Sequence, residues 1–110
     1  MNQEIEFLKI LAEAYNTYDA SVVEPYLSDD VHYASFWVFE ELKSKTEYLN
    51  YLKGKLETMK RINKRYSFII VKGGMHENAL LVGDGECAFV VDFDGNGKVK
   101  MINLTLPEFC

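Results

Sequence analysis

The second half of the chain carries the feature that most constrains its fold, a series of strand-like segments separated by glycine-containing turns. Runs rich in β-branched and aromatic residues end at Gly73-Gly74, at Asp84-Gly85 and at the sequence DGNG over 94–97. Such runs, broken at regular spacing by turn residues, predict an antiparallel meander. The strands are expected at 65–72, 78–83, 86–93 and 98–106.

Two segments have the periodicity of amphipathic helices. Residues 3–18 place apolar side chains at three- and four-residue steps, with Asn2 as the expected N-cap. The second helix begins at the capping-box sequence SKTE, in which Ser44 precedes Glu47 by three residues, and it extends to residue 63. Its apolar stripe consists of Leu49, Leu52, Leu56 and Met59.

The connection between these helices predicts a second, shorter helix and then strand. The segment 21–27 follows two candidate caps, Asp19 and Ser21, and Pro25 keeps that helix short or distorted. Residues 31–42, VHYASFWVFEEL, favour one or two strands, and both of their alternating phases are mostly apolar. The predicted class is α+β, with the element order α-α-β-β-α-β-β-β-β in a single domain over residues 1–110.

The segment from Asp92 to Asn103 resembles a calcium-binding EF-hand loop. Asp92, Asp94, Asn96 and Gly97 match its first half, but Asn103 stands where the loop needs a bidentate glutamate. The flanks are strand-like, whereas an EF-hand has helices on both sides. A hairpin joining 86–93 to 98–106 explains the same residues, because Gly and Asn tolerate the positive φ angles of tight turns. We therefore expect a hairpin and no calcium.

Composition and charge exclude several classes of function. The net charge of −5 argues against nucleic acid, and the basic residues between Lys53 and Arg65 have the spacing of a solvated helix face. No segment has the roughly 20 apolar residues of a membrane span. The acidic N-terminus lacks the pattern of a signal peptide, so a cytoplasmic location is expected. Cys87 and Cys110 are expected to be reduced thiols, with no metal or cofactor site.

Three stretches resemble the nuclear transport factor 2-like superfamily, which includes SnoaL-like and ketosteroid-isomerase-like proteins. FLKILAEAYNTYDASVVEPYLSDDVHYAS is similar to the family's opening helices and first strand. VFEELKSKTEYLNYLKGKLETMKR is similar to its second strand and long helix, and FVVDFDGNGKVKMINLTL to its closing hairpin. The resemblance implies a curved antiparallel sheet wrapped around a long helix to form a cone with a mostly apolar pocket. It also implies a homodimer that pairs through the outer face of the sheet.

The resemblance extends only in part to catalytic residues. In ketosteroid isomerases a tyrosine on the first helix holds an oxyanion, and Tyr15 or Tyr18 matches that position. An aspartate near the start of the first strand moves the proton. This sequence has VHYAS there, with no carboxylate between Asp30 and Glu40, which argues against steroid-isomerase chemistry.

The candidate site residues lie on the first helix and the first strand. His32 is the candidate acid–base group because imidazole titrates near neutral pH. The alternative is that His32 lies on the outer face of the sheet or is hydrogen-bonded in an interface, without a catalytic role. We expect the ligand to contact Tyr15, Tyr33, Ser35 and Trp37, with plain core packing or a dimer contact as the alternative. The inward phase of 31–39 depends on register, and a shift of one residue reverses it.

Three hypotheses for function follow. The first is a domain that binds a small, largely apolar molecule without an assignable reaction. The second is a small-molecule isomerase, dehydratase or cyclase that uses His32 or a pocket tyrosine as its acid–base group. The third is an interaction module whose aromatic residues, 14% of the chain, serve packing and dimerisation.

Overall fold

The chain forms helices packed on one sheet, in the computed structural model that describes residues 2–35, 40–83 and 85–106. Both long helices begin and end close to the predicted positions, and the meander strands fall within their predicted segments. The elements are α1 (Gln3–Thr17), two 3-10 turns (Ala20–Val22 and Glu24–Tyr26), β1 (Leu27–Ser35), α2 (Lys45–Arg61), β2 (Phe68–Lys72), β3 (Asn78–Val82), β4 (Cys87–Phe93) and β5 (Val99–Thr105).

Side-chain caps determine where both helices begin. The Asn2 carboxamide oxygen accepts a hydrogen bond from the Ile5 amide at 3.1 Å, and the Ser44 hydroxyl accepts one from the Glu47 amide at 3.1 Å. These bonds satisfy amide groups that a helix leaves unpaired in its first turn. The predicted helix over 21–27 is instead the pair of 3-10 turns, because Pro25 lies within it and lacks an amide hydrogen.

The sheet has five strands in the order β1-β5-β4-β3-β2. The meander from β2 to β5 is antiparallel, as predicted, and the curved sheet packed against a long helix confirms the α+β class. The β1–β5 pair is parallel, which corrects the prediction of a wholly antiparallel sheet. A parallel pair needs a long crossover connection, and here α2 and the meander lie between the two strands.

The predicted second strand falls partly on residues 36–39, which lie outside the described residues, as does the Trp37 assignment. Beyond that gap, Leu42 forms an isolated antiparallel bridge with Tyr33. The Tyr33 amide donates to the Leu42 carbonyl at 2.8 Å, and the Leu42 amide donates to the Tyr33 carbonyl at 2.9 Å. The chain therefore turns back along β1 before α2 begins.

The two faces of the sheet differ in what covers them. The inner face packs against α1 and α2 and contributes Phe89, Val91, Ile102 and Leu104 to the main core. The outer face carries a smaller apolar cluster that contains Ala79, Ala88 and Val90. In β1 the inward positions are Val31, Tyr33 and Ser35, all buried, while His32 is only half-buried. None of the helices in the described ranges is long and apolar enough to cross a membrane.

A hairpin turn occupies the segment that resembled a calcium loop. One oxygen of the Asp94 carboxylate accepts from the Asn96 amide at 2.8 Å and from the Lys98 amide at 2.9 Å. Gly97 has a φ of 79°, in the left-handed region that favours glycine. The flanking elements are β4 and β5, so the predicted hairpin is confirmed and the paired helices of an EF-hand are excluded here.

Candidate functional site

A cavity of about 130 Å³ opens where the last turn of α1 and the middle of α2 meet the inner face of the sheet. Its apolar walls come from the ring of Tyr15 and from Val82, Phe89 and Leu104. Its polar groups come from Lys55, Tyr66, Glu86 and Cys87. The cavity thus combines apolar walls with a small number of polar groups, an arrangement typical of small-molecule sites.

The end of α1 holds one side of the cavity in place. Tyr18 ends the helix in a left-handed conformation, with φ 56°, and its hydroxyl donates to the Lys64 carbonyl at 2.9 Å. The Arg65 guanidinium donates to the Asn16 carbonyl at 3.2 Å and lies 5.3 Å from the Tyr18 ring centroid. These contacts fasten the segment after α2 to the end of α1, and so they position Tyr66 at the cavity.

Tyr15 links the cavity to the core. Its ring centroid lies 5.6 Å from that of Phe68 and 5.7 Å from that of Phe89. Burial, together with the nearby tyrosines, raises the pKa of Tyr15 well above its ordinary value. The phenol is therefore neutral at physiological pH and is a hydrogen-bond donor in an apolar wall.

Lys55 and Cys87 both line the cavity, and the Lys55 charge acts on the Cys87 thiol. The Lys55 Nζ lies 5.9 Å from the ring centroid of Tyr15 and 5.9 Å from that of Tyr51. Burial raises the pKa of the Cys87 thiol, the Lys55 ammonium partly offsets that rise, and the Glu86 carboxylate adds to it. Cys87 is therefore a neutral thiol at pH 7 and lacks the thiolate character of a nucleophilic cysteine.

A cluster of tyrosines lies deeper in the core. The Tyr33 ring centroid is 5.1 Å from that of Tyr48 and 5.2 Å from that of Tyr51. Burial raises the pKa of Tyr33, Tyr15 and Tyr51 raise it further, and the Ser35 hydroxyl acts in the opposite direction. Burial also raises the pKa of Tyr48, whose hydroxyl has no hydrogen-bond partner among the described residues. Tyr33 and Ser35 thus face inward, close to Tyr15, but within the described part of the chain neither lines the cavity.

His32 lies on the face of β1 opposite to Tyr33 and Ser35, and it does not line the cavity. Its Nδ1 is 3.3 Å from Glu41 Oε2, and the two side chains are 42% and 37% exposed. Alternation along a strand explains the placement, since the inward positions of Tyr33 and Ser35 require an outward His32. Of the predicted site residues that the structure describes, Tyr15 alone lines the cavity.

Sequence reasoning missed Lys55, Tyr66, Glu86 and Cys87. Lys55 belongs to the basic residues whose spacing predicts a solvated helix face, yet its side chain is half-buried. The sequence does contain a signal for its burial, since Lys55 lies between Leu52 and Leu56 of the apolar stripe. A lysine beside such a stripe extends its aliphatic stem over the core. Among the described residues, no group of three or more His, Cys, Asp or Glu side chains could hold a metal ion.

Comparison with solved structures identifies the fold. A SnoaL-like protein of unknown function from Burkholderia thailandensis aligns over 93% of this chain and 92% of its own, with 16% identity and a TM-score of 0.70. An NTF2-like protein of unknown function from Cytophaga hutchinsonii aligns over 92% and 87%, with 9% identity and a TM-score of 0.63. A steroid delta-isomerase from Pseudomonas aeruginosa aligns over 96% and 80%, with 13% identity and a TM-score of 0.59.

These similarities confirm the predicted resemblance at the level of fold, which is the nuclear transport factor 2-like, or SnoaL-like, α+β fold. No protein-family model matches the sequence, and no curated protein matches it. Because one fold hosts many unrelated activities, the function has to be argued from the cavity itself.

Proposed function

We propose that this chain is a small-molecule binding domain that holds a compact, largely apolar ligand between the helices and the sheet. The observation that carries the proposal is the cavity of about 130 Å³ beside Tyr15, Phe89 and Leu104. An apolar cavity of comparable size, about 150 Å³, is large enough to bind benzene in another protein. Apolar walls favour such a ligand because its burial removes apolar surface from water.

The cavity volume restricts the ligand to about one ring. Pockets for drug-sized ligands begin at roughly 300 Å³, more than twice the volume available here. A fused-ring molecule of steroid size would need the core around Phe89 to move. We therefore expect a preference for single-ring or short branched molecules.

Binding fits the chemistry of the cavity better than catalysis does. Tyr15 and Cys87 are both protonated at neutral pH because burial raises the pKa of each. Glu86 is solvent-exposed at the rim and His32 is on the other face of the sheet. A buried group that could accept a proton from a substrate is therefore not found among the described residues that line the cavity.

The neutral phenol of Tyr15 favours a second candidate, an isomerase-type enzyme. A phenol in an apolar wall can donate a hydrogen bond to a carbonyl oxygen as negative charge develops there. The reaction would also need a base, for which Glu86 is the nearest carboxylate in the lining. Turnover of a carbonyl compound that Tyr15→Phe abolishes, with binding retained, would support this candidate over simple binding.

The thiol of Cys87 provides a test for occupancy of the cavity. In a Cys110→Ser variant, ring-sized fragments such as toluene should slow alkylation of Cys87 by a small maleimide, and a steroid should not. The matched control is a Cys87→Ser variant, in which Cys110 should react at the same rate with and without the fragment. Equal rates for Cys87 with and without every fragment would refute the proposal.

A further inference from the structure

The cavity wall contains an ammonium group, that of Lys55, with no carboxylate at ion-pair distance among the residues that the structure describes, although Glu86 lines the same cavity. The ion pairs found among the described residues join His32 to Glu41 and His76 to Asp92, and neither includes Lys55. Lys55 instead lies near the rings of Tyr15 and Tyr51, at 5.9 Å from each centroid. Such ring contacts orient a cation without neutralising it, so the half-buried charge is available to a ligand.

We propose that the ligand is a small monocarboxylate whose apolar body is about one ring or a short branched chain, and that Lys55 provides its counter-charge. This inference rests on the binding function proposed above and specifies the chemical class of the ligand. The apolar body occupies the space beside Phe89 and Leu104, and the carboxylate lies toward Lys55.

The other groups of the cavity are compatible with an anion. The Tyr15 phenol and the Cys87 thiol are neutral at pH 7, so neither repels a carboxylate, and the phenol can donate to it. Glu86 is solvent-exposed, and its effect on the pKa of the Cys87 thiol is smaller than that of the half-buried Lys55. The local field therefore favours a negative ligand, although the whole chain has a net charge of −5.

A cation or a neutral molecule fits this environment less well. A cation would approach the Lys55 ammonium and be repelled by its like charge. A neutral molecule would fill the apolar interior but leave the ammonium without a charged partner. A carboxylate provides a charge-assisted hydrogen bond to the ammonium, which is stronger than a bond between neutral groups.

The test compares benzoate with benzamide, its uncharged counterpart of nearly the same shape, by isothermal titration calorimetry. The proteins are the wild type, Lys55→Gln and the matched control Lys53→Gln, which removes the same charge from an exposed position on the same helix. We expect wild type and Lys53→Gln to bind benzoate alike and more tightly than benzamide. Lys55→Gln should bind benzoate roughly 10- to 100-fold more weakly and benzamide unchanged.

The outcomes separate this inference from the proposal on which it rests. If wild type binds benzamide as tightly as benzoate, or if both lysine variants weaken benzoate equally, the carboxylate assignment is wrong while binding in the cavity stands. If wild type binds neither probe and ring-sized fragments leave Cys87 alkylation unchanged, the binding function fails as well. Rescue of benzoate binding by Lys55→Arg would show that the charge, rather than the lysine stem, carries the effect.

Discussion

Filling the cavity with a larger side chain should remove ligand binding without unfolding the protein. Cys87→Leu places additional apolar atoms beside Val82 and Phe89, which line the same cavity. At about 24 cal/mol per Å³, complete filling of a 130 Å³ cavity corresponds to about 3 kcal/mol, an upper limit because one side chain fills only part of it. We expect a gain in the free energy of unfolding of about 1 kcal/mol, or about 5 °C in Tm.

The same substitution should weaken the binding of a ring-sized probe by roughly tenfold or more, because the probe would have to displace the new side chain. Urea denaturation measures the stability, and calorimetric titration with benzoate measures the binding. Cys87→Ser is the control, since it removes the thiol and leaves the cavity open. A folded Cys87→Leu variant that binds benzoate as tightly as the wild type would refute the assignment of this cavity as the binding site.

Four further predictions concern stability and assembly. Tyr48→Phe should change the free energy of unfolding by less than about 1 kcal/mol in urea denaturation, without destabilising the chain, because the buried hydroxyl has no hydrogen-bond partner among the described residues. A loss of several kcal/mol would contradict this prediction. Asp94→Ala should lower the free energy of unfolding by about 1–2 kcal/mol in the same assay, because two turn amides lose their acceptor. Added calcium should leave the Tm of the wild type unchanged. Burial raises the pKa of Tyr15, so the stability that the neutral phenol contributes is fully present below about pH 10 and is lost as the pH rises above that value. A Tm that stays constant from about pH 9 to about pH 12 would exclude a contribution of Tyr15 ionisation to the pH dependence of stability. We also propose a homodimer through the outer face of the sheet, where Ile69 is 59% exposed; Ile69→Lys should shift sedimentation from dimer to monomer, and a monomeric wild type would disprove the dimer.

Local chemistry explains why most of the fold could be predicted from the sequence. Helix starts depend on a cap within a few residues, and Asn2 and Ser44 make the bonds that their spacing indicates. The closing turn depends on Asp94 and on a glycine with positive φ, both within a few residues of each other. These interactions involve near neighbours in the chain, so the order of residues contains the information that specifies them.

The phase of β1 and the position of His32 were harder to predict because both alternating phases of the segment are mostly apolar. A strand with one polar face reveals its register by alternation, but residues 31–39 are mostly apolar in both phases. The parallel β1–β5 pair is also non-local: Tyr33 pairs with Ile102, and nothing in either segment specifies its partner. Only the packing of α1 and α2 on the inner face decided which side chains turned inward.

The sequence by itself thus determined the two long helices, the meander, the closing hairpin and the α+β class, because each depends on short-range periodicity and turn chemistry. The location and the lining of the cavity depend on tertiary structure alone. Tyr15, Lys55, Tyr66, Cys87 and Leu104 are far apart along the chain and surround one cavity. A cavity is the space that remains between packed elements, so it exists only once α1, α2 and the sheet have come together. Packing likewise made Lys55, one lysine among several on a helix, a half-buried charge beside an apolar space.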